Sequence, residues 1–443
     1  MKNWKRRYIT VRGKITLIKT LMLPKLTHIL VSLPKPPNSF FKRLKTMMFH
    51  FIWGGKVDRL QRLSVCKPYI EGGLAMVELD TYVDALKATW VRREIQPTHS
   101  WTSLFQDTVS DGKFIWEMNG DSLANLAKKI SNPFWAEVLR AFANVSRGID
   151  IDVADMSRCS LWYSDKTKHK TTCIDAWRRK GLCYLSDIVD DEGQILSFQN
   201  VKQIYQIGGS YLDYTGLVRS LPREWKSVPR KVRADYPIIH PQVEFVLSKE
   251  KGAKYLYDVI LHMKTKSFGN TWEICWERKY GPINWSEIYW SIYKKSSVYY
   301  HMLCYKIITQ IVATNRMLHV MGIKSSPLCN RCKLYTETIE HKFWFCCEVN
   351  KFWKDIADCI NNLNIMSDIT FSSKKVILGV SDDIVVNRII SIGKSVISKY
   401  ENINVQIFII KFKIEMENEK CVSRRRGSVA QFNEIWGGLW GGL

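Results

Sequence analysis

The sequence predicts a mainly α, multi-domain helical protein with a small zinc-stabilised β-hairpin/helix module near its C-terminus. Three observations lead there. Apolar residues recur at helical spacing, as in Phe40, Leu44, Met47, Met48 and Phe51. Four of the 12 cysteines crowd into residues 329–347. Hydrophobic residues make up 46% and aromatics 12% of 443 positions, enough to fill the cores of about three ordinary domains.

The cysteine-rich stretch carries the most specific chemistry. Cys329-Asn330-Arg331-Cys332 can grip one metal ion from a tight turn, and His341 and Cys346 can close a tetrahedron of soft sulfur and borderline nitrogen donors. Zinc fits such a set, held structurally with no open position. Cys347 competes with Cys346 as the fourth ligand, and the alternative to a metal is a group of buried apolar thiols in a Trp-rich core. A zinc deaminase is excluded, because no His-x-Glu lies upstream and Leu328 precedes Cys329 where that signature needs proline.

Lys and Arg (66) exceed Asp and Glu (42) by 24, and the pI is about 9.5, the balance of a chain that meets phosphate. The segment Met1-Lys2-Asn3-Trp4-Lys5-Arg6-Arg7 is followed by no uninterrupted apolar core of a secretory signal, so reduced, intracellular thiols are expected. The longest apolar run, Ile403 to Ile410, is broken by Asn404 and Gln406, so no membrane partner is expected.

Residues 1–95 form the first segment, a basic thumb-like helical region. Up to Arg59 it holds fourteen Lys or Arg against the single acid Asp58. Ile15, Ile18, Leu21 and Met22 predict a helix that Pro24 ends or kinks. Pro36-Pro37 open a second helix, with Phe40, Leu44, Met47, Met48 and Phe51 on one face and Lys42, Arg43 and Lys45 on another. Arg6, Arg7, Arg12, Lys14, Lys42, Arg43 and Lys45 are the candidates for contact with a nucleic-acid backbone, the alternative being a solvated face. Gly54-Gly55 and Gly72-Gly73 lack phosphate-loop spacing and read as turns. From about Asp80 a third helix turns Val83, Leu86 and Trp90 inward, with Asp80 or Thr81 as its cap.

Residues 96–250 form a helical and linker middle, with helical patterns over Leu123 to Ile130 and Trp135 to Phe142. A basic patch there, Arg219, Arg223, Lys226, Arg230, Lys231 and Arg233, is threaded with Pro222, Trp225, Pro229 and Tyr236. Such interleaving suits stacking on unpaired bases, and Arg230, Lys231 and Arg233 join the nucleic-acid candidates; a Pro-rich linker carries more weight. Residues 251–365 are an aromatic helical region ending in the metal module. Its stripe of Trp and Tyr is more in keeping with core than with a base-stacking platform. A helix over about 296–317 should deliver the chain to the metal turn, and one from Asn350 should back it with Trp353, Ile356, Ile360 and Leu363. Residues 366–443 give helices at about 382–400 and 402–418 and a frayed, glycine-rich tail behind Arg424-Arg425-Arg426.

The succession Gly13-Lys14-Ile15, Leu23-Pro24-Lys25, Leu33-Pro34 with Pro36-Pro37, Phe51-Ile52-Trp53, Gly72-Gly73-Leu74 and Ala85-Leu86-Lys87 with Trp90 resembles the region just after the polymerase core of LINE-type (non-LTR) retrotransposon reverse transcriptases. The cluster Cys329, Cys332, His341, Cys346, preceded by Thr314-Asn315-Arg316 and followed by Phe352-Trp353, resembles the zinc-binding segment at the C-terminal end of the same polyproteins. The resemblance implies binding of the element's RNA and of target DNA in support of target-primed reverse transcription. It also implies a nuclear and cytoplasmic ribonucleoprotein and, as a partner, the remainder of the reverse transcriptase if that is encoded elsewhere. The palm of that family shows an aromatic-Ala-Asp-Asp turn. The pairs here, Asp190-Asp191 and Asp382-Asp383, read instead as loop or helix-start acids, so this chain alone is expected to be non-catalytic, with no catalytic residue assigned. The rival reading is a zinc-stabilised protein-interaction scaffold, or an inactive remnant of such an element.

Overall fold

A computed structural model describes residues 9–95, 101–109, 112–162, 174–221, 223–226, 228, 239–248, 252–266, 269–293, 297–363, 369–379 and 383–442. Among them the chain is mainly helical. Among the described residues the only β pairing is three isolated antiparallel bridges, Ser160↔Tyr184, Val189↔Ile195 and Leu328↔Thr336. No single helix among the described residues is long and apolar enough to cross a membrane.

The described residues fall into two compact units that do not follow the chain in order. One draws on Met1–Lys19, Thr46–Met76 and Gly269–Leu443, the other on Thr20–Lys45 and Val77–Phe268. The first 95 residues therefore contribute to both.

In the second unit the Leu79–Ile95 helix is central. Leu79, Val83, Ala85, Ala88, Trp90 and Val91 are all buried, so it is covered on several sides, whereas Leu86, expected inside, is only half-buried. Its cap is neither Asp80 nor Thr81. Glu78 accepts hydrogen bonds at Oε2 from the Thr81 backbone N–H and hydroxyl, each at 2.8 Å, and so supplies both the cap and the negative charge that the helix N-terminus favours. The Gly120–Lys129, Pro133–Gly148 and Lys254–Lys266 helices complete a core around Leu123, Val138, Phe142 and Ile260. Asn119 and Asn132 cap the first two through their side chains. A separate core gathers Leu161, Trp177, Leu185, Ile188, Val201 and Leu217, and includes Trp225 and Val228. Trp225 is therefore packed inside and is not free to stack on a base.

Pro24 does interrupt the opening helix: Val11–Leu17 passes into a π-turn over Ile18–Met22, and a new helix starts at Pro24. The Asn38–Ile52 helix, whose residues divide between the units, buries Phe41, Met48, Phe49, Phe51 and Ile52 and leaves Phe40 and Met47 exposed. The inner face is thus rotated from the expected one, because Phe41 takes the place assigned to Phe40.

The Gly72-Gly73 turn follows its glycines. Gly72 sits at φ +78°, and a Cβ there would lie 2.5 Å from the Tyr289 ring; one on Gly73 would lie 1.9 Å from the Lys67 carbonyl oxygen. The helix expected over 296–317 is two helices, Val298–Ile308 and Asn315–Val320. Between them Gln310 takes φ +60°, which stops the first, and Thr314 caps the second by accepting from the Met317 N–H at 3.2 Å. The tail expected to fray is the Val429–Gly442 helix. Phe432, Trp436 and Leu439 recur at i, i+4 and i+7 and are buried, with Trp436 edge-on to Phe412 at 6.3 Å. That apolar stripe outweighs the poor helix propensity of the glycines.

Candidate metal centre

The module is built from a hairpin reduced to one bridge, a π-turn and a helix. Around the Leu328↔Thr336 bridge, Cys329 N–H donates to Tyr335 O at 2.8 Å and Glu337 N–H to Pro327 O at 2.9 Å. The turn between them is closed by Lys333 N–H on Cys329 O at 2.9 Å, with Lys333 itself at φ +59°. His341 opens the π-turn His341–Phe345, its backbone N–H held by the Thr338 hydroxyl at 3.1 Å. Cys346 stands at the N-cap of the Cys347–Asn361 helix, which begins earlier than expected and buries Val349, Phe352, Trp353, Ile356 and Ile360.

These elements bring Cys329, Cys332, His341 and Cys346 together, their donor atoms all within 4.8 Å of one another. Cys329 Sγ lies 3.9 Å from Cys346 Sγ, and Cys332 Sγ lies 3.3 Å from His341 Nε2. Donors on a tetrahedron with metal–ligand bonds of about 2.0–2.3 Å sit roughly 3.5–3.8 Å apart, so this group can hold one metal ion. Cys346 is buried and joins the set, whereas Cys347 is exposed on the helix, which decides between the two.

The electrostatics suit a cation. Burial lowers the His341 pKa, which keeps the imidazole neutral and free to ligate. Burial pushes the Cys346 thiol up to about 12, and the neighbouring Cys329 adds to the shift. Burial also opposes the Cys332 thiolate, but the Leu334 and Tyr335 N–H groups, with Cys329 and Cys346, outweigh it and lower that pKa. A bound cation would reverse the penalty on these thiolates.

The residues that fasten the module were not legible from ligand spacing. Asn315 donates from Nδ2 to Leu328 O at 2.6 Å and to Asn330 Oδ1 at 2.8 Å, and from its backbone N–H to the buried Glu337 Oε1 at 3.0 Å. It thereby ties the Asn315–Val320 helix to the Cys329–Cys332 turn. Arg331, between the two cysteines, donates to Ile397 O at 2.6 Å, Tyr400 O at 2.8 Å and Glu401 O at 3.1 Å. These carbonyls end the Ile384–Lys399 helix, where a cation is favoured. On the same helix Gly393 admits Trp353: a Cβ there would lie 2.4 Å from the indole.

The candidate nucleic-acid residues are scattered. Arg6, Arg7, Arg230, Lys231 and Arg233 lie outside the described residues. Arg12 lies against the rings of Tyr69 and Tyr293, 5.2 and 5.0 Å from their centroids. Lys14 turns inward to Ile52 O at 3.3 Å, and burial lowers its pKa. Lys45 pairs with Glu78 at 3.0 Å and with Asp80. Lys42 and Arg43 are exposed. Of the paired aspartates, Asp190 accepts from the Glu192 and Gln194 N–H groups of a turn, and Asp383 caps the Ile384–Lys399 helix through Val386 N–H at 2.9 Å. Compared with known protein-family models, the chain matches none.

Proposed function

We propose that this chain is the non-catalytic C-terminal part of a LINE-type reverse transcriptase, binding RNA and DNA and carrying one structural zinc. The observation that carries the reading is the four-donor group at Cys329, Cys332, His341 and Cys346, lying where the order of motifs resembling that family places a zinc segment. Three thiols and one imidazole suit zinc among the common ions, and four protein donors leave no open position, so the ion would close the module and do no chemistry of its own. An excess of 24 positive charges supports a phosphate partner. Exposed Lys42 and Arg43 are the described candidates best placed for backbone contact.

Metal content of the purified chain tests this, with wild type beside Cys332→Ser and with single-stranded RNA and duplex DNA binding followed across salt. The expected result is one zinc per chain, lost in the variant, with binding that weakens steeply as salt rises. Absence of zinc, or affinity flat from low to high salt, overturns the reading. A second reading, a protein-interaction scaffold, is favoured by the apolar side chains exposed on either side of the first two donors: Val320 is 81% exposed and Leu334 71%, with Met321, Ile323 and Tyr335 also exposed. Bound zinc with no nucleic-acid binding selects it.

A further inference from the structure

The Val405–Arg426 helix is the longest among the described residues, and both of its ends are fixed. Asn404 Oδ1 accepts from the Ile407 N–H at 2.9 Å, and Gly427, at φ +68°, closes the last turn. The inner stripe of Phe408, Phe412 and Met416 is buried. A second stripe lies opposite it. Ile407, Ile410, Ile414, Glu417 and Cys421 recur at alternating steps of three and four, which at about 100° per residue points them away from the core. Ile410 is 60% and Ile414 52% exposed, Ile407 is half-buried, and Glu417 and Cys421 are exposed. The acids Glu415 and Glu419 are taken up in ion pairs, with Lys411 at 3.0 Å and with Arg388 at 2.9 Å. Lys413, Arg424 and Arg425 are exposed beside the outer stripe and outnumber its single acid, Glu417, so the outer face is basic.

We propose that this outer face, at Ile407, Ile410 and Ile414, docks an acidic amphipathic helix of a protein partner. A stripe stepping by three and four is the seam along which two helices interlock side chains, and the basic border selects a partner with Asp and Glu flanking its own apolar stripe. A second copy of this chain is mismatched. With the helices parallel, Arg424 and Arg425 face their counterparts; with them antiparallel about Ile414, Lys413 faces its own. An anionic bilayer gains the isoleucines only by drawing Glu417 to the same depth, against its charge. The isoleucines offer a nucleic acid neither charge nor π-face. The inference is independent of the metal and of the nucleic-acid reading, since no ligand of the one and no candidate contact of the other lies on this helix.

The test titrates the full chain with two labelled three-heptad peptides, alike in an Ile and Leu seam but carrying Glu in one and Lys in the other at the positions flanking it. Wild type should bind the acidic peptide and discriminate against the basic one. Ile410→Gln with Ile414→Gln should weaken binding of the acidic peptide at least about tenfold. Both sites are exposed and Gln is a good helix former, so the circular dichroism should not change. Lys413→Glu with Arg424→Glu and Arg425→Glu should make the basic peptide the tighter ligand. Equal binding of the acidic peptide by wild type and the Ile410, Ile414 variant, or equal binding of both peptides by wild type, overturns the proposal. So does a wild-type dimer in sedimentation that the isoleucine variant loses, which names a second copy as the occupant. Binding to phosphatidylserine vesicles that the same variant loses overturns it in favour of a membrane surface.

Discussion

Around Phe142 the chain is held by apolar burial, with side chains from the Leu79–Ile95, Gly120–Lys129, Pro133–Gly148 and Lys254–Lys266 helices closing on one another. Around Cys329 it is held by polar fastening: a single β-bridge, two donor pairs, and side chains of Asn315 and Arg331 that reach backbone carbonyls. The first arrangement spreads its stability over many interchangeable contacts. The second, although the Cys347–Asn361 helix behind it is buried through Val349, Phe352, Trp353, Ile356 and Ile360, concentrates the hold on the Cys329–Cys332 turn in a few contacts that have no substitute.

The largest effect should come from removing the proposed ion. Chelation, or Cys332→Ser, should unfold the module, since metal binding in such units is worth about 10–16 kcal/mol and is also their folding energy. Proteolysis should then cut within residues 314–361 while the Phe142 core stays protected; loss of protection in both regions at once would break the contrast. In the other direction, Phe142→Ala should cost about 3–5 kcal/mol in urea unfolding of the second unit and leave the metal content untouched.

Next in size is acid. Glu78 is held down to a pKa of about 2: burial acts to raise it, but Lys264, the Thr81 N–H and Lys45 together lower it further. Because the folded value lies below the ordinary 4.5, the stabilisation is fully present above pH 4.5 and is lost as pH falls through about 2. The loss should reach roughly 3 kcal/mol and should vanish in Glu78→Gln, as followed by helical circular dichroism against pH. The smallest effect should come from the fastening itself. Arg331→Met frees the carbonyls that end the Ile384–Lys399 helix, and a loss of about 1–3 kcal/mol is expected, read as a lower chelator concentration for metal release.

Much of this was legible in the sequence, and the rest was hidden for physical reasons. Ligand spacing identified the four donors because a tetrahedral ion restricts which residue types can converge. The helical class followed from apolar periodicity. Rotation of the Asn38–Ile52 helix was hidden because Phe40 and Phe41 are adjacent and equally apolar, so only packing chooses between them. The break at Gln310 was hidden because no proline or glycine marks it, and a left-handed glutamine has no sequence signature. The Val429–Gly442 helix was missed because its glycines argue for a coil, while the buried face of Phe432, Trp436 and Leu439 decides otherwise. The roles of Asn315 and Arg331 depend on carbonyls, which every residue carries and no sequence displays.

The interleaving of the two units has a consequence for synthesis on the ribosome. Arg12 Nη1 lies 3.1 Å from His301 Nδ1 across 289 positions, and the Tyr305 hydroxyl reaches the Gly72 carbonyl over 233. At about 5–20 residues per second, roughly 15–60 s pass between the emergence of the two ends of the longer contact. All of residues 77–268 emerge in that interval, long enough for the second unit to condense first. Arg12 and Gly72 must wait for His301 and Tyr305, so nascent chains stalled before residue 269 should recruit chaperones to residues 9–19 and 46–76 while residues 77–268 resist protease.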